Sequence, residues 1–252
     1  MLAIIGGTGL TQLANLTITH RQVARTPYGE PSGALTFGEI NGHGIVFLAR
    51  HGYGQTIPPH KVNYQANIWA LKQHGVTHIA SVASVGGIHP GLVPGTLVVP
   101  DQIIDYTHGR ATTFFNDDGQ SVEHIDFTEP YCSQLRFSIL KAAASAHELC
   151  VDQGVYACVQ GPRLETTAEI NRLERDGADM VGMTGMPEAC LARELELCYA
   201  AIGVVSNYAA GRGSSKTAIQ ANDIKDALTP AMTRVRLVLE QLVALHGASN
   251  TP

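Results

Sequence analysis

Charge is scarce in this 252-residue chain. Asp, Glu, Lys and Arg make up 15% of it, against about a quarter in ordinary soluble proteins, while hydrophobic residues reach 44%. Such a balance implies a large core and apolar subunit contacts, so an oligomer is expected. There is no basic surplus: 17 Lys and Arg against 22 Asp and Glu leave a net charge of −5, which argues against nucleic acid or an anionic membrane as a partner. No apolar run approaches the roughly 20 residues of a membrane helix. Met1-Leu2-Ala3-Ile4-Ile5 meets Gly6-Gly7 too early for a signal segment, and the expected compartment is the cytoplasm. Cysteine is sparse and unpatterned. Cys132, Cys150, Cys158, Cys190 and Cys198 form an odd set without a Cys-x-x-Cys pair, so neither a zinc site nor a complete disulfide framework is indicated and buried free thiols are expected. Repeats and low-complexity linkers are missing as well, which leaves one domain, 1–252.

What is present is an alternation of short, β-branched apolar runs with longer stretches of helical period, the pattern of an α/β fold with a mainly parallel sheet. Strands are predicted at Leu2–Ile5, Ile45–Ala49, Val76–Val85, Thr96–Val99, Gly154–Val159, Ala178–Met183 and Tyr199–Ser206. Helices are predicted at Asn63–His74, Tyr131–Leu149, Thr167–Arg175 behind a Thr166-x-x-Glu169 capping box, and Pro187–Leu197. A last helix, Pro230–His246, carries Met232, Val235, Leu239, Leu242 and Leu245 on one stripe, with Gly247 as its stop. The stretch 105–129, with Gly109 and Asn116-Asp117-Asp118-Gly119, reads as a long functional loop or lid.

Small or basic residues cluster where strands end, the place where open α/β sheets bind their ligands. Gly6-Gly7-Thr8-Gly9 offers unobstructed backbone N–H groups and a hydroxyl to an anion. It lacks dinucleotide spacing and a P-loop lysine, and alone it is as well explained by a glycine turn. Arg50-His51 adds a guanidinium fork and an imidazole, and Ser84-Val85-Gly86-Gly87 and Met183-Thr184 add further strand-end groups. Glu165, after Gln160-Gly161-Pro162-Arg163-Leu164, and Asn207, within Ser206-Asn207-Tyr208, bring a carboxylate and an amide to the same edge. Taken singly, each is an ordinary helix-start or turn residue.

Together, Gly-Gly-Thr-Gly at 6–9, Ala-Arg-His-Gly at 49–52, Lys61-Val62-Asn63-Tyr64-Gln65-Ala66-Asn67, Gly161-Pro162-Arg163 and Gly177-Ala178-Asp179-Met180-Val181-Gly182-Met183-Thr184 resemble the trimeric purine nucleoside phosphorylases over nearly the whole chain. The branch that cleaves methylthio-nucleosides is the most similar. The resemblance implies a single-domain, three-layer α/β fold with a central mixed, mainly parallel sheet flanked by helices. It also implies a homotrimer, and phosphorolysis without metal or organic cofactor, inorganic phosphate being a co-substrate. Carried over by position, Thr8, Arg50, His51, Ala83, Ser84 and Thr184 would surround phosphate. Leu164, Glu165, Val181, Met183, Asn207 and Ala209 would surround the nucleoside. Asn207 and His51 would act on the reacting groups.

Within that family, 6-oxopurine enzymes have Asn facing the purine N7 edge and Glu accepting the N1–H, and this chain has Asn207 and Glu165. A carboxylate facing adenine N1 would meet a lone pair, at about 1–3 kcal/mol for the unsatisfied group. The late histidine that binds a 5′-hydroxyl is missing from Thr217-Ala218-Ile219-Gln220-Ala221-Asn222-Asp223-Ile224. Ile219, Ala221 and Ile224 resemble the apolar wall of a 5′-thiomethyl pocket, and His124 resembles a histidine supplied by a neighbouring subunit. The combination implies S-methyl-5′-thioinosine as substrate. A broad inosine/guanosine phosphorylase is the alternative, a methylthioadenosine phosphorylase less so, and a nucleoside-binding protein without turnover stands outside the enzyme class. Three positions depart from the pattern: Leu164 replaces a base-stacking aromatic, Ala83 a polar residue, and Gln55 a histidine.

Overall fold

A computed structural model of the chain describes residues 1–10, 13–115 and 123–249. In chain order the strands are β1 Leu2–Gly6, β2 Thr17–Gln22, β3 Leu35–Ile40, β4 His43–Ala49, β5 His78–Gly87, β6 Leu97–Val98, β7 Gln102–Tyr106, β8 Cys150–Val151, β9 Val155–Val159, β10 Met180–Gly182 and β11 Cys198–Tyr208. The α-helices are α1 Tyr64–Gln73, α2 Ser133–Ser145, α3 Thr167–Arg175, α4 Gly185–Glu194 and α5 Ala221–Ser249. All the strands join one mixed sheet, with the path β2-β3-β4-β1-β5-β10-β9-β7 and β11, β6 and β8 branching from β5. Helices α2 and α5 close one face and α1 and α4 the other, each over its own apolar cluster. This is the three-layer α/β fold expected.

The register of β5 makes the opening. Along one edge β5 pairs with β11 from His78 through Gly87. Its other edge pairs in parallel with β1 over His78–Ser81 and antiparallel with β10 over Gly86–Gly87. Val82–Val85 are left between these two ladders. A gap in the hydrogen-bonding edge of a central strand exposes backbone polar groups that something else must satisfy. The ends of β1, β4 and β10 converge on it.

Several sequence expectations need correction. Strands β2, β3, β7 and β8 escaped the apolar pattern; β2 is exposed along its whole length, so no buried face marks it. Asp105 and Tyr106 belong to β7, so the expected 105–129 loop begins later. Residues 107–115 and 123–129 carry no helix or strand, and Asn116-Asp117-Asp118-Gly119 lies outside the described residues. Helix α5 begins nine residues before Pro230, which sits inside it, and Gly247 continues it instead of stopping it. Pro230 and Asp226 are both exposed, so the hydrogen bond that proline cannot make falls on the solvent side of the helix. The expectation of free thiols fails for one pair: Cys132 and Cys198 form a disulfide across 66 residues. The chain enters α2 directly beside the start of β11, where the Cys132 N–H donates to the Tyr199 carbonyl at 2.8 Å. Cys150, Cys158 and Cys190 are free. The Thr166–Glu169 capping box at α3 is present in both of its hydrogen bonds.

Candidate active site

A cleft of about 290 Å³ opens over the gap in β5. Thr8, Arg50, His51, Ala83, Ser84, Leu164, Glu165, Val181, Met183, Thr184, Asn207 and Ile224, all expected from the sequence, line it together. Gly7 joins them for a steric reason: a methyl group there would lie 2.6 Å from the Val82 carbonyl and 2.9 Å from Arg50 Nη1. Only glycine lets the first turn approach the guanidinium this closely.

Arg50 is wholly buried and differently engaged from the expected open fork. Its Nε donates to Glu188 Oε2 at 2.6 Å and its Nη2 to Glu188 Oε1 at 2.9 Å. Nη2 also donates to Ser81 Oγ at 2.6 Å, and Nη1 to the Val82 carbonyl in the β5 gap at 2.9 Å. Of five N–H donors, one on Nη1 remains for a ligand. Glu188 is saturated in turn, accepting further hydrogen bonds from Ser81 Oγ at 2.7 Å and Tyr199 Oη at 2.8 Å. Burial pulls the Arg50 pKa down, but the Glu188 charge and hydrogen bonds outweigh it and keep the guanidinium charged. Sequence reasoning missed Glu188, Ser81 and Tyr199. The signal for Glu188 is a lone carboxylate in the apolar run Met186-Pro187-Glu188-Ala189-Cys190-Leu191, since such charges are buried only when paired.

Around this anchor stand the hydroxyls of Thr8, Ser84 and Thr184, the last of them also in hydrogen-bond contact with the Tyr156 hydroxyl. The Thr184 N–H is held by the Tyr156 hydroxyl at 3.3 Å. His51 Nδ1 lies 2.8 Å from the Ile57 carbonyl, which can only accept, so Nδ1 carries the proton and Nε2 is the nitrogen left for a ligand. Burial, then the neighbouring Arg50 charge, lowers the His51 pKa and favours the neutral ring. A backbone turn, one guanidinium N–H, three hydroxyls and an imidazole make a compact anion site.

The opposite end is looser. Asn207 is held by two bonds: its Oδ1 accepts from Ser206 Oγ at 2.7 Å and its Nδ2 donates to the Tyr208 carbonyl at 2.8 Å. The Tyr208 carbonyl cannot donate, which fixes the amide orientation and leaves one Nδ2 hydrogen available. Glu165 is partly buried and receives no hydrogen bond from another described side chain. Burial raises its pKa, a hydrogen bond from its own backbone N–H partly offsets this, the nearby Glu169 adds to the rise, and Arg163 opposes it only weakly. Arg163 is turned away into a bidentate pair with Glu169, at 2.8 and 2.7 Å. Leu164 is 46% exposed. Val181 and Met183 form the floor, and Gly161, at φ 60°, has no room for a side chain against the Met183 sulfur. Ile57, Pro58 and Pro59 also line the cleft. They were not singled out from the sequence; the two adjacent prolines a few residues after Arg50-His51 are the signal for a stiff wall.

Four expected residues stand apart from the cleft. Ala209 is buried behind Gly86, because β11 ends at Tyr208 and the chain turns inward, the Ala209 N–H bonding the Gly87 carbonyl at 2.8 Å. Ile219 lies in the segment before α5, Ala221 is exposed at its start, and His124 is exposed.

Residues 1–244 match the Phosphorylase superfamily. A Pseudomonas syringae pv. tomato protein named probable S-methyl-5′-thioinosine phosphorylase is 53% identical over 242 residues, covering 96% of this chain and 98% of that one. A Pyrococcus furiosus protein named 6-oxopurine nucleoside phosphorylase is 44% identical over 220 residues, 85% of this chain and 82% of that one. Among solved structures, methylthioadenosine phosphorylase from Schistosoma mansoni in complex with adenine superposes with a TM-score of 0.93 at 33% identity, covering 98% of this chain and 92% of that one.

Proposed function

The chain belongs to the phosphorylase superfamily, and we propose that within it the protein cleaves S-methyl-5′-thioinosine with inorganic phosphate, giving hypoxanthine and 5-methylthioribose 1-phosphate. It is an enzyme of the pentosyltransferase class. The observation that carries the base assignment is Glu165: a partly buried carboxylate whose donor is its own backbone N–H and which takes none from another described side chain, so that a 6-oxopurine N1–H supplies a partner and adenine cannot.

Phosphate sits among Thr8, Arg50, His51, Ser84 and Thr184, beside Ala83. One of its oxygens bonds to C1′ as the C1′–N9 bond breaks, and the electron pair of that bond passes to the purine. Negative charge gathering on the base is met at N7 by the spare Asn207 Nδ2–H. The phosphate dianion faces a ribosyl group gaining positive charge, and the fixed donors around it cost no reorganisation at that moment. Both reactants are held in one cleft, which removes much of the entropic barrier. The chemistry uses phosphate as co-substrate and calls for no metal or organic cofactor. Ile224, with Ile57, Pro58 and Pro59, supplies the apolar 5′ wall, where burying a methyl group contributes about 0.8 kcal/mol. In a homotrimer, His124 of a neighbouring copy would complete that end.

A second reading is a broad 6-oxopurine nucleoside phosphorylase. It is favoured by the position of Ile219 and Ala221 away from the cleft, which thins the apolar wall. Incubating the protein with methylthioinosine, methylthioadenosine or inosine, with and without phosphate, and following base release separates the readings. Phosphate-dependent release mainly from methylthioinosine supports the first. Dominant inosine cleavage selects the second, dominant methylthioadenosine cleavage overturns the base assignment, and no release from any nucleoside overturns phosphorolysis. The protein acts on small molecules. Among the described residues no helix is long and apolar enough to cross a membrane.

A further inference from the structure

Arg110 lies in the segment after β7, and no carboxylate pairs with it among the described residues. Its acceptors are uncharged oxygens, five carbonyls and, at 3.4 Å from Nη1, the Tyr64 hydroxyl. Nε donates to Gln160 Oε1 at 3.1 Å, and Nη1 to the backbone carbonyls of Met183 and Met186 at 2.9 and 2.6 Å. Nη2 donates to the Gln160 carbonyl at 2.9 Å and, at 3.4 Å, to that of Val159. The guanidinium lies 5.5 Å from the centre of the Tyr64 ring. The five N–H donors therefore meet oxygens drawn from the end of β9, the end of β10 and the first turn of α4, with the Tyr64 hydroxyl beside them.

Those two strands run parallel as neighbours and then separate. The chain leaving β9 leads to Glu165 and that leaving β10 to Met183, so the base edge and the sugar floor are set by how far the two exits stand apart. We propose that Arg110 is the positioning residue that fixes this spacing, and that it governs nucleoside affinity without touching the nucleoside; this rests on the phosphorolysis reading above. A planar fork reaches acceptors on two segments at once, whereas a lysine ammonium offers its donors from a single point. The anion end is held independently, Arg50 by Glu188 and the Thr184 N–H by Tyr156. The effect should therefore fall mainly on the nucleoside, although Arg110 also holds the carbonyls of Met183 and Met186 on either side of Thr184.

The test is Arg110→Lys in the full chain, read by steady-state kinetics and by hydrogen exchange. The nucleoside KM is expected to rise about tenfold or more, with the phosphate KM moved by less than about twofold. Amides of 160–165, 183 and 186 are expected to exchange about tenfold faster, with that of Thr184 and those of α2 and α5 unchanged. An unmoved nucleoside KM, equal rises in both KM values, or unchanged exchange at these segments overturns the proposal. Should Arg110→Lys fold poorly, Gln160→Leu removes one acceptor and leaves the guanidinium in place; a smaller shift in the same direction is expected, and no shift overturns the proposal. A wild-type protein that releases no base would sink the phosphorolysis reading alone, and the exchange measurement would then judge the bracing by itself.

Discussion

At one end of the cleft Arg50 is enclosed, charged and bound through four of its five N–H donors, and its partner Glu188 accepts from three side chains. At the other end Glu165 takes no hydrogen bond from another described side chain, only one from its own backbone N–H, and Leu164 is nearly half exposed. The first end is rigid because each group in it is the partner of another, and it presents a ligand with a few aimed donors. The second is left partly unsatisfied on its own terms. Selectivity among purines belongs at this second end, since a group that lacks a partner discriminates between molecules that supply one and molecules that do not.

Removing Glu188 is the strongest way to break that contrast. Glu188→Gln leaves the Arg50 charge buried and uncompensated, and a loss of about 3–5 kcal/mol of stability is expected in urea unfolding. Phosphate affinity should collapse with it. A variant as stable as the wild type would contradict the pairing.

The Cys132–Cys198 disulfide tests whether the two ends fail together. Cys132→Ala opens a closed loop that carries residues of both ends, Glu165 and Glu188 among them, and should cost about 2–4 kcal/mol, with the ratio of phosphate KM to nucleoside KM unchanged. A change in that ratio would mean that the bond acts on one end.

Glu165→Ala strikes the nucleoside end alone. Loss of the N1–H acceptor is worth about 1–3 kcal/mol, so kcat/KM for methylthioinosine should fall by about one to two orders of magnitude at an unmoved phosphate KM. Because burial raises the Glu165 pKa, the accepting carboxylate is lost as pH falls through a value above the ordinary carboxylate range. The acid limb of kcat/KM should therefore begin at a higher pH than for an exposed glutamate and should vanish in the variant.

The smallest effect is expected at His51. Its lowered pKa makes it neutral near pH 7, and an anion beside Nε2 favours the imidazolium, so anion binding takes up a proton. Sulfate, which does not titrate in this range, should bind more tightly as pH falls from 8 to 6. Hypoxanthine binding should not tighten over the same range, since its acceptor Glu165 is lost rather than gained as pH falls. Calorimetry in buffers of different ionisation enthalpy counts the proton, and a buffer-independent heat would remove His51 from the anion site.

Local pattern was enough to reveal Gly7-Thr8, Arg50-His51, Ser84 and Thr184, because strand ends announce themselves through a few neighbouring residues. The capping box and boundaries of α3 were legible for the same reason. Glu188 lies 138 residues from Arg50, and no periodicity links them. The gap at Val82–Val85 arises from where β1 stops and β10 starts, a matter of register between strands that no single segment encodes. Pro230 was misleading as a boundary because a proline in a helix is harmful only where its missing hydrogen bond is shielded from water. Arg110 is hidden in a stretch whose glycines and acids suggest a lid, and most of its partners are backbone carbonyls, which every residue possesses.

The union of Arg50 with Glu188 bears on how this protein can change over generations. Either residue altered alone leaves a buried charge stranded, so single steps at these two positions pass through a crippled intermediate, while the exposed residues near Leu164 lie open to gradual exploration. Lineages descending from such an ancestor should diversify in the bases and sugars they accept long before they part with the anion they use to attack them.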